Sequence, residues 1–154
     1  MQKGFATFEI IFATLIIAVL ATVVFPNANR MIDRVALDYE TKKIYTEMRA
    51  LQSLERMTNM RDAHFGTTDD NPILLIVYPD RYVLEKRDPN KTLVEHYFSH
   101  GVTSDNNIWQ IRFDDSGRIS NAISNHLTLT SGQGKKFYII FDSVGRFRGG
   151  REEP

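Results

Sequence analysis

The chain has 154 residues, 19 Lys plus Arg against 19 Asp plus Glu, and no Cys. A formal net charge of zero supplies no long-range field to gather a polyanion, and the lack of Cys excludes disulfides and thiolate metal sites. The length suits one membrane helix followed by one domain of about a hundred residues, held by packing alone.

The chain opens on an apolar run, GFATFEIIFATLIIAVLATVVFP from Gly4 to Pro26, with Lys3 before it and Arg30 and Arg34 behind. Between Phe5 and Phe25 the only charged residue is Glu9. At ~1.5 Å per helical residue the run reaches ~30 Å, the thickness of a bilayer's hydrocarbon core. A carboxylate costs roughly 2.5–3.5 kcal/mol at the centre of such a helix and less near its end, so Glu9 calls for a partner. A secretory signal peptide is one plain reading. It wants more basic residues than Lys3, and a small-residue cleavage site placed after the apolar run. Ala18-Val19-Leu20-Ala21 lies inside the run. A single-pass anchor is the other plain reading, with Glu9 tolerated near one end.

Pro26 removes the backbone bond to Thr22, which predicts a kinked or loosened helix with the Thr22 hydroxyl compensating. Helical periodicity then resumes. Leu37, Ile44, Met48 and Leu51 form a stripe, extended by Ile32, Val35 and Leu54. Asp38, Glu40, Lys42, Lys43, Glu47 and Arg49 lie largely outside that stripe. The helix is predicted to end near Thr58, ~80 Å from Phe5 at the standard rise. A polar connection occupies 59–71. Asp69-Asp70-Asn71 within it lacks the glycine and distal glutamate of a calcium loop.

Strand patterns follow. Ile73 to Tyr78 is an apolar run ended by Pro79-Asp80. Arg81 to Lys86 alternates, with Tyr82 and Leu84 on one face, and Asp88-Pro89-Asn90-Lys91 reads as a turn. Leu93 to Phe98, Ile108 to Phe113, Leu127 to Thr130 and Phe137 to Phe141 complete the predicted strands, with Gly132 and Gly134 turning between the last two. In Ile108 to Phe113, Trp109, Ile111 and Phe113 share a face. A short repeat is visible: Phe113-Asp-Asp-Ser-Gly117-Arg118-Ile119 matches Phe141-Asp-Ser-Val-Gly145-Arg146-Phe147. Glycine at a positive φ and an aspartate bonding backbone amides predict two similar hairpins, ahead of a calcium site at Asp114 and Asp115.

His96 and His100 have helical metal-ligand spacing but fall on a strand and a loop, and the H-E-x-x-H pattern is absent. Nucleophile-elbow and Walker A patterns are also missing, so neither catalysis nor a metal or cofactor is expected.

Lys3-Gly4-Phe5, then Glu9, then a long apolar helix, resembles the prepilin leader of type IV pilins and type II secretion pseudopilins. The resemblance covers about the first 26 residues. It implies a cut between Gly4 and Phe5 by prepilin peptidase and methylation of the new Phe5 terminus. It also implies an assembly role for Glu9 and a helix kink at Pro26. In low dielectric, the new amine on Phe5 is the mate that the Glu9 carboxylate seeks, in its own chain or a neighbour's. The lack of Cys departs from many major pilins and favours a minor pilin or pseudopilin. The late strand, turn and Gly145-Arg146-Phe147-Arg148 resemble the carboxyl-terminal end of minor pilins called GspH or FimT.

The fold implied is α+β: a long amino-terminal helix, half membrane and half amphipathic, packed on an antiparallel β-rich domain. The divisions expected are a leader at 1–4, an assembly helix at 5–26 and its amphipathic half at 27–58. A linker at 59–71, a β-rich domain at 72–149 and a tail at 150–154 follow. The function implied is that of a minor pilin or pseudopilin subunit. It would be held in the inner membrane with its carboxyl-terminal domain outside the cytoplasm, and built into a filament with other pilins. One alternative is a DNA-binding minor pilin of natural transformation, with Arg146, Arg148 and the nearby Arg151 on phosphates. Another is a membrane-anchored domain that never polymerises.

Overall fold

The computed structural model describes residues 3–65, 73–86, 91–114, 116–122, 124–142 and 144–150, with side chains described except at 3–7, 58–65 and 121. It is α+β, one long helix followed by antiparallel sheets, as expected. The helix α1 spans Lys3–Phe65. The strands are β1 (Ile73–Val77), β2 (Arg81–Lys86), β3 (Lys91–Tyr97), β4 (Thr103–Ser104), β5 (Trp109–Phe113), β6 (Ile119–Ala122), β7 (His126–Thr130), β8 (Lys136–Phe141) and β9 (Phe147–Gly150). Asp69, Asp70 and Asn71 of the expected connection and residues 88–90 of the turn expected at Asp88 to Lys91 lie outside the described residues, while Lys91 begins β3.

The chain divides into two compact units, Met1–Ile32 and Asp33–Pro154. In the first, α1 runs through Pro26 without a break. The Thr22 hydroxyl donates to the Val19 carbonyl at 2.7 Å, so it does not compensate for the bond that proline removes. Thr14 likewise donates to Ile11 at 2.9 Å.

The helix does not stop at Thr58. Residues 59–65 carry neither Gly nor Pro, and Gly66 is the first helix-breaking residue the sequence offers. The helix therefore extends seven residues past its expected end.

In the second unit, sheet order is β3-β2-β1-β5-β6 in one sheet and β4-β7-β8-β9 in the other. Leu37, Ile44, Met48 and Leu51 of α1 are buried, as their spacing predicts. Ile32, Val35 and Leu54, assigned to the same stripe, are exposed. Ala36, Glu40 and Thr41 are buried instead. Beneath the helix, Leu75, Val77, Tyr82, Leu84, Trp109, Ile111 and Phe113 face inward from the first sheet, and Leu127, Leu129, Ile139 and Phe141 from the second. Trp109 stacks on Phe141 with ring centroids 5.0 Å apart, which joins the two sheets.

Two strand expectations change. β3 is an edge strand with mostly exposed residues and a register shift opposite Leu84/Glu85, so its limits moved from 93–98 to 91–97. β4 pairs only Thr103 and Ser104 with β7, too short for any sequence period to reveal.

Candidate functional site

Three places on the chain carry polar chemistry. The first is the amino-terminal helix. Phe8, Ile10, Ile11, Phe12, Leu15, Ile16, Ile17, Val19, Leu20, Val23, Val24 and Phe25 are all exposed, Phe8 by 69%. This stretch is long and apolar enough to cross a membrane, and none of its apolar window is buried within the chain. Glu9 is exposed among these side chains. No ion pair among the described residues reaches it. Gly4 and Phe5 fall within α1, but their side chains lie outside the description.

The second is a buried cluster that sequence reasoning missed. Glu40, expected largely outside the apolar stripe of α1, is completely buried. One carboxylate oxygen accepts from the Ser99 amide at 3.0 Å and the Ser99 hydroxyl at 2.7 Å. The other lies 2.8 Å from His96 Nε2 on β3. Lys43 Nζ lies 2.9 Å from His96 Nδ1. A lysine ammonium only donates, so Nδ1 accepts and Nε2–H donates to Glu40. The imidazole therefore bridges the lysine and the carboxylate. The Ser99 hydroxyl is spent on the carboxylate and not on the imidazole, so the serine forms no nucleophile–base pair. The cluster ties α1 to an otherwise exposed edge strand. Burial lifts the neighbouring Tyr82 phenol well above its usual range, and Glu47 and Glu40 add to the rise. A sequence signal for Glu40 existed: it lies three residues after Leu37 and four before Ile44, on the buried stripe itself.

The third is the pair of repeated turns. Gly117 and Gly145 have φ of +75° and +83°, as the repeat predicted. In the first turn, Asp114 Oδ1 accepts from the Ser116 amide at 2.9 Å, the Arg118 amide at 2.8 Å and the Ser116 hydroxyl at 2.7 Å. Burial raises the Asp114 carboxyl, but these bonds outweigh it and hold the group below its ordinary value. Such an oxygen closes a turn, and Asp115 lies outside the described residues. In the second turn, Asp142 Oδ1 accepts from the Val144 amide at 3.1 Å and the Arg146 amide at 2.8 Å. The Arg146 amide is the main reason Asp142 is held low, and the Arg146 guanidinium adds to it.

The two turns sit against each other. A Cβ on Gly145 would collide with the Gly117 carbonyl oxygen. Gln52 of α1 spans both, its Nε2 donating to the Gly117 carbonyl at 2.6 Å and the Gly145 carbonyl at 2.9 Å. Arg56 Nε donates to the Ser116 carbonyl at 3.1 Å.

The arginines expected on phosphates are placed unequally. Arg146 is 81% exposed, but its Nε is 2.8 Å from Asp142 Oδ2. Arg148 is exposed on β9, and Arg151 lies outside the described residues. Sequence reasoning missed Arg49 and Arg56. With Arg146 they line a groove of about 680 Å³ between α1 and the second turn, floored by Val144, Gly145 and Phe147. The Arg49 guanidinium lies 5.9 Å from the centre of the Phe147 ring. Comparison of the chain with family models, with curated proteins and with solved structures returned no match.

Proposed function

We propose that this chain is a minor pilin or pseudopilin subunit, cut after Gly4 and built into a filament through its amino-terminal helix. The observation that carries the reading is the uncovered apolar face from Phe8 to Phe25 with a lone carboxylate, Glu9, near its start. The membrane covers such a face before assembly, and the helices of neighbouring subunits cover it afterwards. A lone carboxylate there needs a cation, and an amine freed at Phe5 supplies one four residues away. The leader resemblance supports the same site for the cut. The peptidase, the inner membrane and other pilins are the partners this reading calls for, and the chemistry is assembly without turnover.

The test is the mass of the mature chain recovered from membranes. The reading expects a terminus at Phe5 carrying one added methyl group. A chain still beginning at Met1, or one lacking the whole apolar run, removes it. Glu9→Val should then abolish cross-links from the helix to partner pilins while leaving membrane insertion intact. Unchanged cross-linking sinks the assembly role of Glu9.

A further inference from the structure

We infer that Lys43 is a nucleophilic amine served by His96 as its base, and that it is a site of acylation by small activated acyl donors. Such donors carry a carbonyl carbon bonded to a good leaving group. Every group involved belongs to the second unit, and nothing in the site depends on filament assembly.

The three side chains form a nucleophile, a base and an acid that orients the base. Glu40 and Lys43 lie three residues apart on α1 and meet the two nitrogens of one imidazole. Lys43 Nζ is 2.9 Å from Nδ1, and Glu40 is 2.8 Å from Nε2. Ser99 holds the other Glu40 oxygen through its amide and its hydroxyl, which keeps the carboxylate from swinging away. The Tyr82 ring packs on the imidazole with centroids 5.2 Å apart and fixes its plane. A buried carboxylate so placed offsets the charge the ring gains whenever it takes a proton.

The chemistry follows from that geometry. In its uncharged form the amine still donates one N–H to Nδ1 and keeps its lone pair for the donor's carbonyl carbon. As Nζ attacks, the N–C bond forms and the nitrogen becomes positive. Nδ1 takes the proton from it, and the bond to the leaving group breaks with its electron pair. The imidazolium, held against Glu40, then returns the proton to the leaving group or to water. The product is an amide at Lys43 that has lost the lysine's charge.

Access and contrast complete the case. Lys43 is partly exposed, and the Tyr39 ring, 55% exposed, lies 5.9 Å from Nζ one helical turn back. Its face gives a donor an apolar surface beside the nitrogen. Lys42 occupies the next position of α1 and is exposed, and among the described residues its side chain makes no ion pair. Accessibility alone would make Lys42 react first. Assistance from a base reverses that order.

The probe is p-nitrophenyl acetate, applied to the full chain in detergent at about pH 8.5, where about one ordinary lysine amine in a hundred is uncharged. Chymotryptic cleavage after Tyr39 and Tyr45 leaves both lysines on one peptide, and fragment masses place the acetyl group. Lys43 should be acetylated about tenfold faster than Lys42, or more, against the order that exposure sets. His96→Gln should remove that advantage and leave the Lys42 rate unchanged. Loosening of β3 in the variant would uncover Lys43 and speed its reaction, so a slower Lys43 reports the lost base and not lost structure. Lys43 reacting no faster than Lys42 in the parent chain overturns the inference, and that arm needs no variant. A folded His96→Gln chain whose Lys43 reacts as fast as the parent's also overturns it. Neither outcome bears on cleavage after Gly4, so failure here is distinct from failure of the assembly reading.

Discussion

Replacing Gln52 by leucine keeps the volume of the side chain and removes its amide. Two hydrogen bonds disappear, to the Gly117 carbonyl at 2.6 Å and the Gly145 carbonyl at 2.9 Å. Each such bond contributes about 0.5–1.5 kcal/mol net, so the two together are worth about 1–3 kcal/mol. The carbonyls lie where two turns and a helix meet, and a Cβ-sized space there is already filled, which restricts replacement by water. The unit that melts has roughly 120 residues, and at ~2.1 cal/mol/K per residue the loss converts to a Tm drop of roughly 4–12 °C. The assay is thermal melting of the full chain in detergent, followed by near-ultraviolet circular dichroism of Trp109 and its neighbours. Gln52→Glu sharpens it. At neutral pH a carboxylate faces two carbonyl oxygens and should cost more than leucine. In acid the protonated form donates one bond, so the deficit should shrink. A leucine variant melting within about 1 °C of the parent, or a glutamate variant no worse than leucine, refutes the claim that Gln52 pins the turns.

The buried cluster gives a second expectation. His96→Ala takes a donor from a fully buried carboxylate and should cost about 1.5–3 kcal/mol, read as a lowered urea midpoint at unchanged slope. Amide exchange should speed up first in β3, which the cluster holds to α1; uniform acceleration across both sheets contradicts that role. Gly145→Ala adds a Cβ at φ +83° against the Gly117 carbonyl, and should destabilise by more than the roughly 1–2 kcal/mol of left-handed strain alone. A neutral melt for this variant disproves the close contact of the turns. Acid sensitivity follows from Asp105, Asp114 and Asp142, all held below the ordinary aspartate value. For Asp105, burial raises the carboxyl, and bonds from Lys136 and Thr130 outweigh it. Groups lowered by folding contribute stability that is present above the unfolded value of about 4 and lost as pH falls through the lower folded values. The urea midpoint should therefore fall below pH 4. Asn at all three positions should flatten that decline, and an unchanged acid limb in the triple variant contradicts the assignment.

Patterns that repeat over a few residues were legible in the sequence. The apolar run set the membrane-capable helix, because a helix of that composition needs no tertiary partner to be recognised. The spacing of Leu37, Ile44, Met48 and Leu51 named the buried face, and alternation from Trp109 to Phe113 named the inward one. The two F-D-x-x-G-R stretches became the same turn twice, since a positive-φ glycine and an aspartate four residues before an arginine amide fix that geometry locally. What depends on which elements become neighbours was decided only by the tertiary structure. Glu40 meets His96 across 56 residues, and Gln52 reaches carbonyls 65 and 93 residues away. No short-range period encodes such meetings, so a glutamate expected outside the apolar stripe is fully buried, and Arg49 and Arg56 joined Arg146 in one groove. Local sterics write the elements into the chain, while packing chooses their companions.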